Sequence, residues 1–235
     1  MLCRKINVAP AKIKGGKFPA FSLMEILISL VLGSLLLLSL SALYSQFLAS
    51  QIKQDERLLL QKEAHQLINY FQQHIQHLGY QGQARADSNF SFFEQNGQRY
   101  ALVKPSCFIF FYDLNNDGCL GKRATKNTAC TQGELNNTKE LAKEIFGFKL
   151  ENKEIYLYAD NQLINCSREQ CKTLLSSCGN SWTKLTSSEL FQVTDLAFSW
   201  KKQDQLLQID LALASVKSPQ INYHVTAYTY ILNTL

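Results

Sequence analysis

The chain has 235 residues and a formal net charge of +5, a length that accommodates one sizeable domain plus an anchoring element. The whole excess charge lies in the first 20 residues, "MLCRKINVAPAKIKGGKFPA", which carry Arg4, Lys5, Lys12, Lys14 and Lys17 and no acid. The remaining chain holds 19 basic and 19 acidic residues, which argues against a generally basic nucleic-acid-binding surface.

The leader gives way to "FSLMEILISLVLGSLLLLSLSALYSQFL". From Ile26 to Ile52 there is no Asp, Glu, Lys, Arg or His. The apolar run Ile26 to Leu48 would extend roughly 34 Å as a helix, enough to cross a hydrocarbon core of about 30 Å. The basic flank places the leader on the cytoplasmic side and sends the chain after Leu48 across the membrane. Glu25 stands at the mouth of this run as the one acid beside it.

The helical pattern continues past the apolar run. In "QIKQDERLLLQKEAHQLINYFQQHIQHLGYQG" the residues Leu60, Ala64, Leu67, Ile68, Phe71, Ile75 and Leu78 recur at steps of three and four, marking one apolar face of an amphipathic helix. No Pro occurs between Phe21 and Gly79, and Gly79 with Gly82 supplies a stop signal. The pattern predicts one nearly continuous helix of more than fifty residues, with Gly33 as its weak point. Residues 21–82 form this helix segment, with the membrane span at 26–48, and residues 83–235 form a β-rich globular domain on the exported side.

Within that domain "RYALVK", "CFIFFYDL", "IFGFKLE", "EIYLYA", "VTDLAFSWKK", "LLQIDLALAS" and "INYHVTAYTYIL" read as strands by alternation or apolar density. "LENKE" and "KKQDQ" read as hairpin turns, so the sheet is mostly antiparallel. The expected architecture is α+β: a long N-terminal helix laid on an antiparallel sheet, with cysteine-bearing loops at Asn115 to about Gln132 and Asn165 to Asn180.

Seven cysteines are present, Cys3 alone in the leader. The other six, Cys107, Cys119, Cys130, Cys166, Cys171 and Cys178, suit a disulfide framework in an oxidising compartment, with about 15 full pairings open. The absence of a CxxC pair disfavours zinc. Short spacing favours Cys119 with Cys130, a closure contributing about 3 kcal/mol in the chain-entropy model. Cys107 then joins one of Cys166, Cys171 and Cys178, in an unspecified pairing.

A basic leader, then "FSLMEILISLVL" running into a long amphipathic helix and a β-rich cysteine-bearing domain, resembles the type IV prepilins and the related type II secretion pseudopilins. "HIQHLGYQG", "CFIFFYDLNNDG" and the closing "VTDLAFSW", "LLQIDLAL" and "TAYTYILNTL" are similar to the minor pilins of the PilW, PpdB and GspJ kind. The resemblance implies a type IV pilin-like fold and leader cleavage by a prepilin peptidase between Ala20 and Phe21, with N-methylation of Phe21. It also implies pairing of Glu25 with the Phe21 amine of a neighbouring subunit in the filament core. Ala20 departs from the Gly usual at that position. A carboxylate at membrane depth costs about 2.5 to 3.5 kcal/mol, and an ammonium partner in a low-dielectric core offsets part of it. The plainer alternative is that Glu25 faces the helix N-terminal dipole.

Other motifs offer further chemistry. Asp113, Asn115 and Asp117 in "DLNNDG" match the first half of a calcium loop, but Ala124 occupies the twelfth position, where the bidentate Glu belongs; a plain Asn/Asp/Gly turn explains the same residues. Lys122, Arg123 and Lys126 sit between Cys119 and Cys130, where they could touch DNA phosphates or simply be solvated. His74 and His77 read as helix-surface residues, and no nucleophile elbow, phosphate loop or zinc-protease signature occurs.

The sequence therefore points to a structural subunit rather than an enzyme: a minor pilin that helps initiate or cap a type IV pilus serving adhesion, twitching or DNA uptake. Its expected partners are the prepilin peptidase, other minor and major pilins, the inner-membrane assembly platform and, before assembly, the membrane itself. Its expected location is single-pass in the inner membrane with a periplasmic domain, then the cell-surface pilus, with no required cofactor beyond the calcium option. The alternatives are a minor pseudopilin of type II secretion and a bitopic membrane-anchored binding module.

Overall fold

The computed structural model describes residues 22–159, 166–176, 178 and 182–233. The leader, Ala20 and Phe21, where cleavage and methylation are expected, lie outside the described residues. By its internal contacts the chain divides into two units, Met1–Gln51 and Ile52–Leu235. One helix, α1 (Leu23–Ile75, 53 residues), contributes to both.

The first unit contains the apolar half of α1. It runs through Gly33 without a break, and an added Cβ there would meet nothing within 4 Å. Its large apolar side chains are exposed throughout, Leu37 for instance by 70%. The hydroxyls of Ser29, Ser34, Ser39 and Ser45 donate to carbonyls three residues back, at 2.8, 2.8, 2.8 and 2.9 Å. These four hydroxyls are thus satisfied within the helix, as a segment in hydrocarbon requires.

In the second unit the amphipathic half of α1 buries Leu60, Ala64, Leu67, Ile68, Phe71 and Ile75, with Leu78 buried just beyond it. These are the seven positions that the three-and-four spacing selects. The helix ends at Ile75, and the chain turns through Gly79 at φ +72°, a left-handed conformation for which glycine has little penalty.

Among the described residues ten strands follow: β1 (Tyr100–Lys104), β2 (Cys107–Phe111), β3 (Thr131–Gln132), β4 (Leu135–Asn136), β5 (Ile145–Glu151), β6 (Glu154–Tyr158), β7 (Trp182–Lys184), β8 (Phe191–Lys202), β9 (Leu206–Ser215) and β10 (Asn222–Tyr230). They form a five-stranded sheet in the order β1-β2-β5-β6-β7, a three-stranded sheet β10-β9-β8 and a small β3-β4 ribbon, every pair antiparallel. All seven segments read as strands from sequence are strands. The β5–β6 turn places Asn152 and Lys153 at φ 51° and 64°, and the β8–β9 turn places Asp204 at φ 58°. Two successive positive φ values give the tight turn whose twist matches the strands.

Where one sheet was expected there are two larger sheets, tied where the β8 edge meets the β1–β2 and β5–β6 turns. The Val193 amide in β8 donates to Lys153 O at 2.9 Å, and the Phe198 amide donates to Pro105 O at 2.8 Å. The outer edge of β10 is met by α1, where Gln72 Nε2 donates to Tyr228 O at 2.8 Å and the Leu232 amide donates to Gln76 O at 3.2 Å. Both edges of the smaller sheet are thus engaged, which blunts edge-to-edge pairing.

The main core lies between α1 and the two sheets. Phe71 is fully buried, with ring centroids 4.5 Å from Phe148 and 6.1 Å from Phe198; Phe108 stacks on Phe198 at 5.3 Å. Each such ring contributes about 1.5–3 kcal/mol by leaving water.

Strand β2 is buried along its whole length. Phe108 and Phe110 belong to the helix-side core, whereas Cys107, Ile109 and Phe111 belong to a second cluster on the opposite face. That second cluster is closed by helix α2 (Phe90–Phe93), Leu120 and Leu141, and by Cys166 and Cys171, which flank and enter helix α3 (Arg168–Ser176). The segment from Asn165 to Asn180, expected as a loop, therefore carries a helix. Its sequence, "REQCKTLLS", is short and charged, and Cys171 ties it to Cys166.

Candidate functional site

Three places bear on function: the N-terminal end of α1, the loop layer over the second core cluster, and a cleft at the end of α1. At the first, Ser22 opens the helix, its carbonyl accepting the Glu25 amide at 2.9 Å and the Ile26 amide at 3.2 Å. Glu25 is the acid of the first turn, a position favoured by the helix dipole. The helix it begins is long and apolar enough to cross a membrane, compatible with single-pass anchoring.

In the loop layer, "DLNNDG" is organised around Asp113, which is 1% exposed. Its Oδ2 accepts the Gly82 amide at 3.0 Å and the Gly118 amide at 2.7 Å, and its Oδ1 accepts the Asp117 amide at 3.2 Å. Asn115 Oδ1 also accepts the Asp117 amide, at 3.0 Å, and Asp117 Oδ1 accepts the Cys119 amide at 3.0 Å. The oxygens that a calcium loop would turn toward a cation are here engaged with backbone N–H groups. Among the described residues no group of three or more His, Cys, Asp or Glu is placed to hold a metal. Gly118 sits at φ +82°, where a Cβ would come within 2.5 Å of Arg85 Cδ and 2.7 Å of Gln83 O. Only glycine fits that close approach.

Beneath this loop lies Glu144, which no sequence motif marks. It is 2% exposed; its Oε1 accepts the Leu114 and Asn115 amides at 3.1 and 3.0 Å, and its Oε2 accepts the Gly121 amide at 2.5 Å. Burial pushes its carboxyl up to about 7, against the amides of Gly121 and Asn115, which favour the charged form; Asp113 and Asp117 add to the rise. Asn89 makes a parallel clasp, accepting the Leu120 amide at 2.7 Å and donating to Leu120 O at 2.8 Å and Asn136 Oδ1 at 2.7 Å. An isolated Asn or Glu next to a strand carries no sequence signal of this kind.

Cys119–Cys130, Cys107–Cys178 and Cys166–Cys171 are disulfide-bonded. The three basic residues of the Cys119–Cys130 loop separate in character. Lys122 and Lys126 are exposed. The Arg123 side chain is only 10% exposed, its Nε 3.3 Å from Asp117 Oδ2 and its Nη1 donating to Lys126 O at 2.6 Å. Lys122 and Lys126 flank an open groove of about 830 Å³, also lined by Arg85 and Asn115.

The third place is a cleft of about 570 Å³ lined by His74, His77, Tyr80, Tyr112 and Asn233 among others. The expectation that His74 is an ordinary surface residue is corrected here. Its ring stacks on Phe146 at 4.9 Å, and its Nδ1 lies 2.9 Å from Tyr112 Oη. Burial first, and His77 second, hold His74 below its ordinary pKa; burial pushes Tyr112 up to about 12. The spacing reading missed this because β2 and β5 supply the aromatic wall from far along the chain.

Comparison with known proteins adds evidence from the other end of the molecule. The family model of prepilin peptidase-dependent protein B matches residues 53–231, a span that begins after the apolar run. An uncharacterized protein from Haemophilus influenzae is 31% identical over 193 residues, covering 75% of this chain and 80% of the relative. No solved structure matches. The N-terminal pattern and the matched C-terminal domain are separate stretches of sequence that agree, and the chain belongs to the prepilin peptidase-dependent protein B family, as a minor pilin-like protein associated with type IV pilins.

Proposed function

We propose that this chain is a minor pilin subunit that helps initiate or cap assembly of a type IV pilus. The observation that carries the reading is the apolar half of α1. Its large side chains are exposed, and it opens on a single carboxylate, Glu25, in its first turn. Such a surface needs lipid before assembly and other helices after it.

In this reading the prepilin peptidase cuts between Ala20 and Phe21, and the new Phe21 amine, once methylated, is the cation that Glu25 of an adjoining subunit meets. Family membership supports processing by that peptidase. The chain then sits in the inner membrane with its β-rich domain in the periplasm, and leaves it for the pilus with other minor and major pilins.

The test has two readouts. Mass spectrometry of the membrane-extracted protein should find a chain beginning at methylated Phe21, whereas an intact Met1 would support a plain signal anchor. Glu25→Ala should lower recovery of the subunit in sheared surface filaments at least tenfold while leaving its membrane level unchanged. Equal incorporation of variant and wild type would remove the pairing role from Glu25.

A further inference from the structure

The cleft at the end of α1 has no part in the assembly role proposed above. Its volume of about 570 Å³ falls in the range of sites that enclose small molecules. Its walls are preset. Tyr112 stacks on Phe146 at 4.4 Å and its Oη lies 2.9 Å from His74 Nδ1, while the Gly79 amide ties the turn after α1 to Phe111 O at 2.9 Å. A preset site loses little conformational entropy when it binds.

No fixed charge is open to this cleft. Asp113 is the one acid among its described lining residues, and its two oxygens are taken by the amides of Gly82, Gly118 and Asp117. No Lys or Arg lines it. The His74 ring, held below its ordinary pKa by burial and by His77, is uncharged at neutral pH. A charged ligand would give up its water here without gaining a counter-ion.

The local backbone is engaged as well. The Tyr112 amide donates to Glu144 O at 3.2 Å, the Asp113 amide to Tyr80 O at 2.9 Å and the Leu232 amide to Gln76 O at 3.2 Å. An extended peptide that pairs through a free strand edge finds no such edge among these residues.

What the cleft offers is side-chain chemistry. The carboxamides of Gln73, Asn116 and Asn233 can each donate and accept, and so can the Tyr80 hydroxyl. Leu114 and Leu232, 55% and 67% exposed, add apolar contact at the rim. A wholly apolar ligand would strip water from the carboxamides and leave them unpaired. A neutral ligand with many hydroxyls and apolar C–H faces meets all of these conditions. We infer that this cleft binds a neutral oligosaccharide, its hydroxyls held by Gln73, Asn116 and Asn233 and its C–H faces set against Tyr80 and the two rim leucines. The inference does not depend on the assembly role, because the binding needs no filament.

The test is calorimetric titration of the full chain, in micelles of a detergent without a sugar head group, with maltotriose and with chitotriose. At least one should bind with a Kd of about 1 mM or tighter. That affinity should be the same at about 50 and about 500 mM salt, since no charges pair. Asn116→Gly keeps the positive φ of 59°, which glycine accepts, and removes one carboxamide; it should weaken binding roughly threefold or more. Gln73→Ala with Asn233→Ala should weaken it roughly tenfold or more. Gln61→Ala, exposed on α1 and outside the cleft, should change nothing. Binding of neither trisaccharide at millimolar concentration would overturn the saccharide assignment. Sialyllactose binding more tightly than both, with an affinity that falls with salt, would overturn the neutrality of the ligand. Wild-type affinity in both cleft variants would move the site elsewhere.

Discussion

The two faces of the five-stranded sheet are closed by different means. Toward α1, the sheet meets a helix whose apolar residues arrive at regular spacing, and aromatic rings fill the gap: Phe71 on Phe148, Phe108 on Phe198, Tyr112 on Phe146 at 4.4 Å. On the far face the cover is a set of short segments, α2, α3 and the loops between them, of which α2 brings Phe90, Phe92 and Phe93 into the second cluster. There the pins are three disulfides and the buried polar groups of Asn89, Asp113 and Glu144. A periodic helix can be held by side-chain burial alone, whereas irregular backbone has unpaired N–H and C=O groups that must each find a partner.

That contrast can be broken most strongly on the helix face. Phe71→Ala should destabilise the second unit by about 3–5 kcal/mol through lost burial and a residual cavity, measured by urea denaturation in detergent. Leu36→Ala, on the exposed apolar half, should leave that transition unmoved. A Phe71 variant within about 1 kcal/mol of wild type would mean that the aromatic core does not hold the helix to the sheets.

On the far face the lever is pH. The Glu144 carboxyl is raised from 4.5 to about 7, so between those values the folded chain binds more protons at this site than the unfolded chain. Its contribution to stability is therefore fullest below about pH 4.5 and declines as pH rises through about 7, by about 3 kcal/mol in all. Glu154 has the opposite sign. Lys184 and Ser188 lower its carboxyl to about 2, so its contribution is present above about 4.5 and is lost as pH falls toward 2. Comparing wild type with Glu144→Gln across pH 4.5 to 7.5 should show the wild-type slope more negative. Parallel pH profiles would show that Glu144 is not desolvated.

The smallest expected effect is a difference between two covalent pins. Cys107–Cys178 closes 71 residues and Cys166–Cys171 closes 5. Replacing each pair by Ser should cost about 4 and about 2 kcal/mol in the chain-entropy model. Denaturation midpoints of the two double variants check it, and equal losses would show that local geometry outweighs loop length.

Much of the helix face was legible in sequence. The spacing from Leu60 to Leu78 named the buried stripe residue by residue, because a 3.6-residue period maps directly onto one helix face. The near-continuous apolar run "CFIFF" likewise indicated a strand, and the structure gives the reason: β2 is covered on both faces. The closing turns were legible from "LENKE" and "KKQDQ", where Asn, Lys and Asp accept positive φ.

The far face was not legible to the same depth. Cysteine count announced disulfides and short spacing suggested Cys119 with Cys130, but Cys107 finds Cys178 only because β2 runs beneath the α3 layer. Asp113 matched both half of a calcium loop and a plain Asn/Asp/Gly turn, since sequence lists oxygens without saying which amides face them; folding brings Gly82 and Gly118 to those oxygens. Glu144 had no signal at all, and His74 read as solvated until β2 and β5 enclosed it.

Sequence by itself determined the elements whose signal is local: the basic leader, the membrane-length apolar run with Glu25 at its mouth, the amphipathic stripe, seven strands and their antiparallel turns. Only the tertiary structure decided which loop oxygens are buried and satisfied and which cysteines meet. Local periodicity is written in neighbouring residues, but desolvation and pairing depend on groups that approach from tens of residues away.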